Sequence, residues 1–510
     1  MINSDELKNN MNRQIKLVDT NIIIDISESL TKAIDQCPLI IGVAPNAWPR
    51  IVSSYFFPKY EIVSFRDRGE NDYISQSGIK IFSVLKNDPR AMIDALSASQ
   101  IISCPVVDRF LKEKKEIFRL LIYKSNAVLE KVLEEKGWQI IGNKSEVKNQ
   151  YEDKRIFREV LKKVGIEPIP GKNIRIEELT EEKFVDYQNK FGQKNLVLQL
   201  AEVTYGGGSG TLFINDAKDL RIFRQRVVDI REKLEGKKKK IETVNICPYI
   251  NSISSSIGCC ATRYGTYCGP IQTQVIDITE VGTNKKNRSG NFAGHDWSFR
   301  HWPESIQKQA DEIARKFGDY IYTHGYRGIF GLDLLIDEKN NKVWPMECNP
   351  RFTDAFPMLS LLYMGVGLIP FDVFHILELL NIDYQIDFEQ QQAKYRQRFD
   401  YSQILLHNIL EEESINTGIF KAGVYRVNNN DLEYLRPGFA PFHLQADNEF
   451  LFTEGVPKIP GEIFGDMGRV CRLIKKGPIL DKINGLSPNT KQIIELAYSK
   501  FKLVKYEPNN

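Results

Sequence analysis

Residues 328–352 constrain this 510-residue chain more than any other stretch. They read Gly328-Ile-Phe-Gly-Leu-Asp-Leu-Leu-Ile-Asp337, then a polar turn to Asn341, then Lys342-Val-Trp-Pro-Met-Glu-Cys-Asn-Pro-Arg-Phe352. Two apolar runs joined by a short polar turn predict a β-hairpin, with strands over 329–336 and 342–347. Side chains alternate along a strand, so Glu347 and Asn349 share a face, and a hairpin can bring Asp333 to them. An acid set among apolar neighbours is costly without a partner. Two carboxylates and an amide oxygen suit Mg²⁺, which prefers hard oxygen donors beside nucleotide phosphates. The same pattern also fits a surface hairpin whose acids face water. Pro350 stops the second strand, and Arg351 then offers a planar fork for a carboxylate or a phosphate.

The hairpin sits late in a chain whose texture changes three times. Up to about residue 145, short apolar runs at 38–44, 61–65, 79–85, 101–102 and 138–142 read as strands. Residues 106–136 have helical spacing, as one helix or two. Strands alternating with helices predict a parallel sheet. Residues 146–245 predict a helix over 149–164, strands over 195–200 and 211–214 around a glycine cluster, and a helix over 216–234. Residues 246–390 hold strand and turn patterns to about 281, a helix over 304–324 and the hairpin. Residues 391–510 form a mixed segment with glycine turns. The expected class is therefore mixed α/β and α+β, in four units: 1–145, 146–245, 246–390 and 391–510.

Composition excludes several partners. The net charge of +3 gives no global basic field for nucleic acid or a membrane surface. The lysine run at 237–240 reads as a solvated loop or a phosphate patch. The uncharged run over 355–371 is interrupted by Pro357, Gly365, Gly367 and Pro370, and reads as a buried segment beneath a site rather than a membrane span. Eight scattered cysteines without a CxxC pair, and a polar start, read as a cytoplasmic protein with reduced thiols.

The Glu-x-Asn-Pro-Arg pattern after a hairpin with an upstream acid resembles the metal signature of the ATP-grasp superfamily. Other segments fall in the family's order. Tyr151-Glu-Asp-Lys-Arg155 resembles the entry to its nucleotide domain, which implies a phosphate contact for Lys154. Gly165-Ile-Glu-Pro-Ile-Pro170 resembles its Gly-Ile-x-x-Pro turn. Gly206, Gly207, Gly208, Ser209 and Gly210 resemble the loop that folds over the triphosphate, where glycine frees backbone N–H groups to face phosphate; alone, such a cluster is also a plain hairpin turn. Val244-Asn-Ile-Cys-Pro-Tyr-Ile250 resembles the hinge that pairs with adenine, implying roles for Cys247, Tyr249 and Ile250, without the acid often found there. Val203, Ile246 and Leu332 are candidate pocket walls or core. Gln199 stands where the family usually has a second ATP-binding lysine; glutamine donates a hydrogen bond but brings no charge.

The resemblance covers residues from about 40 to 380. It implies an ATP-grasp fold preceded by a parallel-sheet domain and followed by a small C-terminal domain. It further implies ATP and Mg²⁺, with Mn²⁺ as a substitute, held by Lys154, Gln199, the glycine loop and the metal set Asp333, Glu347 and Asn349. Arg351, Arg263 and Arg288 are the candidate catalytic cations. The implied activity is an ADP-forming carboxylate–amine ligase acting through an acyl phosphate on small molecules, with amino acids or peptides as the expected acid and amine; a homodimer is allowed. Two rivals remain. A biotin carboxylase-like enzyme would call for the second lysine and a biotin carrier. A nucleotide-binding regulator or pseudoenzyme would explain Gln199. His295 and Asp296 either orient substrate or shape a loop, and His301 and His324 read as structural.

Overall fold

The computed structural model describes residues 13–91, 96–202, 210–233, 241–284 and 290–507. The run Leu39–Ala44 is buried along its whole length and founds a five-stranded parallel sheet. Continuous apolar strands of this kind are covered on both faces. In space the strands run Ile81–Ser83, Tyr60–Ser64, Leu39–Ala44, Phe118–Leu121, Ile140–Ile141. The order reverses beside Leu39–Ala44, and a doubly wound sheet binds ligands outside the strand ends at such a point. Two expectations fail here. Ile101 and Ile102 lie in the helix Ala98–Ser103, whose Gln100 amide donates to Ser97; a short apolar run does not distinguish a buried helix from a strand. The helical spacing over 106–136 is broken by the strand Phe118–Leu121, leaving helices Pro105–Lys112 and Ala127–Lys136.

The next unit is a four-stranded antiparallel sheet ordered Thr211–Ile214, Leu196–Leu200, Thr243–Pro248, Lys172–Arg175. The helix expected over 149–164 is two, Ser145–Glu152 and Lys154–Lys163. Asp153 separates them by accepting a 2.8 Å hydrogen bond from the Arg155 amide, an N-cap that puts Lys154 at the first helical position.

A ten-stranded antiparallel sheet forms the rest of the body. It starts at Lys342–Asn349, Gly328–Asp337, Ile253–Thr262, Gly265–Ile276 and Phe292–Asp296. It then continues without a break past residue 390 into Tyr401–His407, Arg469–Lys476 and Phe450–Thr453. The hairpin at 328–349 thus forms as expected, with Asp333 opposite Glu347 and Gly331 opposite Asn349. On one face Leu332, Leu334, Phe330 and Ile336 pack against the helix Glu304–Thr323. On the other lies the helix Ala355–Gly365, buried from Ala355 to Met364 in a core shared with Trp48, Phe56 and Ile329. Among the described residues no helix is long and apolar enough to cross a membrane.

Gly328 opens the first hairpin strand with φ of +80°, and a Cβ there would sit 2.2 Å from His375 Nδ1, which accepts from the Ile329 amide. Gly328→Ala is therefore expected to lower stability by about 2 kcal/mol or more, read as a fall in the denaturant midpoint.

Candidate active site

A cavity of about 690 Å³ lies between the four-stranded sheet, the hairpin and the ends of the parallel sheet. Ile169, Val197 and Ile250 line it from the side of the four-stranded sheet, and Tyr123, Arg351, Asp354 and His295 from the parallel and ten-stranded sheets and the segment after the hairpin. Lys154, Asp333, Glu347 and Asn349 line it too. Hairpin alternation brings the acids together. Asp333 and Glu347 are direct cross-strand partners, and the next register step pairs Leu334 with Pro345, so Met346 is an extra, bulged residue. Bulges re-aim neighbouring side chains.

The polar core of the cleft is tightly partnered. Lys154 Nζ lies 2.5 Å from Glu347 Oε2. Asn349 Nδ2 donates to Asp333 Oδ2 at 3.0 Å, and Gln274 Nε2 donates to Asp333 Oδ1 at 3.0 Å. Arg351 donates to Asn349 Oδ1 at 2.8 Å and to the Tyr123 hydroxyl at 3.1 Å. Burial, and then the Glu347 charge, push the Asp333 carboxyl up to about 8. Burial raises Glu347 too, but the Lys154 ammonium outweighs it and leaves Glu347 below the ordinary carboxylate range. Burial lowers Lys154, and Glu347 reverses that, so Lys154 stays charged. Two half-buried carboxylates that cannot both ionise comfortably, one already drawing a cation, are a donor set that fits a divalent ion of the Mg²⁺ type. Among the described residues no group of three or more His, Cys, Asp or Glu side chains gathers to hold a metal, so the donor set here is two carboxylates and the Asn349 amide.

The expected residues divide clearly. Lys154, Gln199, Gly210, Cys247, Tyr249, Ile250, Asp333, Glu347, Asn349 and Arg351 all line the cavity. Gln199 has only long contacts, 3.4 Å to Thr211 Oγ1 and 3.5 Å from Asn245 Nδ2. The Tyr249 backbone is already engaged, its amide with the Asn195 carbonyl and its carbonyl with Gln193. Leu332 is corrected: it is fully buried in a hydrophobic core, and Ile246 takes the core alternative. Alternation turns Leu332 away from the face that carries Gly331, Asp333 and Leu335, which do line the cavity. Arg263 is corrected too. It sits in the turn beyond Thr262, paired with Glu378 at 3.1 Å and with Asp383, at the far end of its strand from Ser256, the partner of Asp333. Val203, Gly206, Gly207, Gly208, Ser209, Arg288 and the lysine run at 237–240 lie outside the described residues. His295 lines the cavity from a strand rather than a loop. Asp296 is structural, accepting from the backbone amides of Ser298, Phe299, Ile479 and Leu480. His301 and His324 are exposed. Sequence reasoning missed Tyr123, Gln274, Met346 and Asp354; only Met346, just before Glu347, and Asp354, following Glu-x-Asn-Pro-Arg, had a neighbouring signal.

No protein-family model and no curated protein sequence matches the chain. Solved structures do. The biotin carboxylase from Campylobacter jejuni, in complex with ATP, superposes with a TM-score of 0.56 at 12% identity, over 88% of this chain and 89% of its own. The biotin carboxylase domain of 2-oxoglutarate carboxylase from Hydrogenobacter thermophilus, with MgADP and bicarbonate, gives 0.54 at 15% identity over 87% of each chain. Phosphoribosylamine–glycine ligase from Thermotoga maritima gives 0.54 at 14% identity, over 90% of this chain and 96% of its own. The chain has the ATP-grasp fold.

The raised Asp333 carboxyl has a consequence for stability. An acid whose folded pKa, about 8, lies above its ordinary 3.8 destabilises progressively as pH rises between those values. Asp333→Asn is therefore expected to melt with the parent near about pH 4 and above it near about pH 9, by roughly 1 kcal/mol or more without added metal. A thermal melt at both pH values checks this.

Proposed function

We propose that this chain is an ATP-dependent carboxylate–amine ligase that forms an amide through an acyl phosphate and releases ADP and phosphate. The observation that carries the reading is the cross-strand pair Asp333 and Glu347 with Asn349 and Lys154, all lining one cleft. The lining of that cleft includes apolar residues suited to a base, Ile169, Val197 and Ile250, and the Arg351 guanidinium. Two solved structures of the same fold hold a nucleotide, beta-gamma-ATP in one and MgADP in the other, which supports a nucleotide here.

Asp333, Glu347 and Asn349 would hold Mg²⁺, or Mn²⁺, which supplies charge neutralisation while the γ-phosphoryl group moves. Lys154, which pairs with Glu347, would be the cation that meets a phosphate oxygen of the bound nucleotide. Arg351, set by Asn349 and the Tyr123 hydroxyl, orients the substrate carboxylate for attack on the γ-phosphorus. The carboxylate oxygen bonds to phosphorus as the bond to the β-phosphate bridging oxygen breaks. An amine then displaces phosphate from the acyl carbon. Amino acids or peptides are the expected acid and amine.

Glu347→Ala is expected to cut acid-dependent ADP release by at least about 100-fold while far-UV circular dichroism stays unchanged. Gln199→Ala should slow it less, because Gln199 brings no charge. With hydroxylamine in place of the amine, the parent should accumulate a hydroxamate. One observation favours a second reading: the neutral, loosely held Gln199 suits a nucleotide-binding regulator, for which ATP would bind without any hydroxamate forming.

A further inference from the structure

Three neighbouring strands of the large sheet carry His295, Gln403 and Arg472. His295 and Gln403 are direct cross-strand partners. All three side chains are buried, Gln403 and Arg472 completely. Arg472 is itself fixed, paired with Glu454 and lying 4.8 Å over the Trp48 ring.

The donor and acceptor chemistry of this row has one solution. A guanidinium only donates. The Gln403 atom that meets Arg472 Nη1 must therefore be its carbonyl Oε1. The Gln403 Nε2 end faces the Asp354 backbone carbonyl at 3.1 Å, which only accepts, so two independent partners orient the amide the same way. The remaining Nε2 hydrogen points to His295 Nδ1 at 3.0 Å. Nδ1 must then accept, and a neutral imidazole that accepts at Nδ1 carries its proton on Nε2.

We propose that Arg472 and Gln403 are positioning residues that hold His295 as a permanently neutral Nε2–H donor for an anionic oxygen of the substrate acid. The ring lines the cavity with Arg351, Tyr123 and Asp354, and no described residue takes up its Nε2. It packs between Phe292 and Trp297, tilted by 53° and 45° to their rings, with centroids at 4.7 and 5.7 Å. The charged groups facing it are Asp354 and Arg472. The Asp354 carboxylate is already forked by Arg469 at 3.0 and 3.2 Å, and does not offer itself to the ring. Burial holds the ring far below its ordinary range, at about 3, in agreement with the geometry. With its one lone pair, on Nδ1, already accepting from Gln403, His295 cannot serve as the base that deprotonates the amine. It adds a directed hydrogen bond beside Arg351 without adding charge. The identity of the ligand rests on the ligase reading; the tautomer does not.

The test uses the full chain labelled with ¹⁵N-histidine, with the His295 signals assigned by their loss in His295→Gln. The Nε2–H pattern is expected, unchanged between about pH 5.5 and 8.5. Gln403→Glu keeps the shape and the acceptor for Arg472, but turns a carboxylate toward Nδ1. Its ring should take a second proton and show imidazolium signals near about pH 6. In the same variant kcat/KM for the acid should fall at least about tenfold, while KM for ATP moves less than about twofold. An Nδ1–H pattern or a titrating ring in the parent overturns the proposal. So does Gln403→Glu with a neutral ring or an unchanged kcat/KM. A parent with no acid-dependent turnover but a fixed Nε2–H overturns the ligase reading and leaves the donor assignment supported.

Discussion

The structure depends on two carboxylates forced to face one another. Asp333 and Glu347 meet half-buried across the hairpin, where Lys154, Asn349, Gln274 and the nearby Arg351 charge compensate them. Such an arrangement is costly in a folded chain without a ligand. A protein selected for stability alone would place apolar side chains there, as it does at Leu332 and Leu334 on the opposite face. The cost makes sense if the site's partner is a cation that arrives with its own anion. Lys154 holds the place of that cation, and its position follows from Asp153, which breaks one helix and starts the next.

The rest of the fold brings three separate units to this pair. The parallel sheet delivers Tyr123 from beyond Phe118–Leu121, where its strand order reverses. The four-stranded sheet contributes apolar lining of the cleft through Val197 and Cys247. The C-terminal segment joins through backbone pairing, Gly294 with Ile404 and His295 with Gln403, so residues beyond 390 shape a wall of the cleft through a shared sheet. Trp48 adds a longer tie, its indole N–H donating to the Phe439 carbonyl at 2.5 Å.

Much of this is legible in the sequence, for reasons that also explain where reading stops. The hairpin announces itself because two apolar runs flank a polar turn, and period-two alternation then puts Asp333, Glu347 and Asn349 on one side. The same alternation excludes Leu332 as a pocket wall once the face of Asp333 is known, and points instead to Gly331 and Leu335. Arg263 is a different case: it lies seven residues from Ser256 along one extended strand, and a strand of that length carries it to the opposite end of the sheet. Ile101 and Ile102 mislead because burial makes helix and strand alike in short runs. The partners Gln274 and Gln403 have no local signature at all. Their roles come from strands that are distant in sequence and adjacent in space, which only the folded register supplies.

The central claim is that the acid pair grips a divalent ion beside a triphosphate. A crystal grown with Mn²⁺ and a non-hydrolysable ATP analogue tests it most directly, through the anomalous signal of the metal. An anomalous peak between Asp333 and Glu347, with Lys154 Nζ moved from Glu347 to a phosphate oxygen, is the predicted result. Density for the nucleotide with no peak there, and Lys154 still on Glu347, would contradict it.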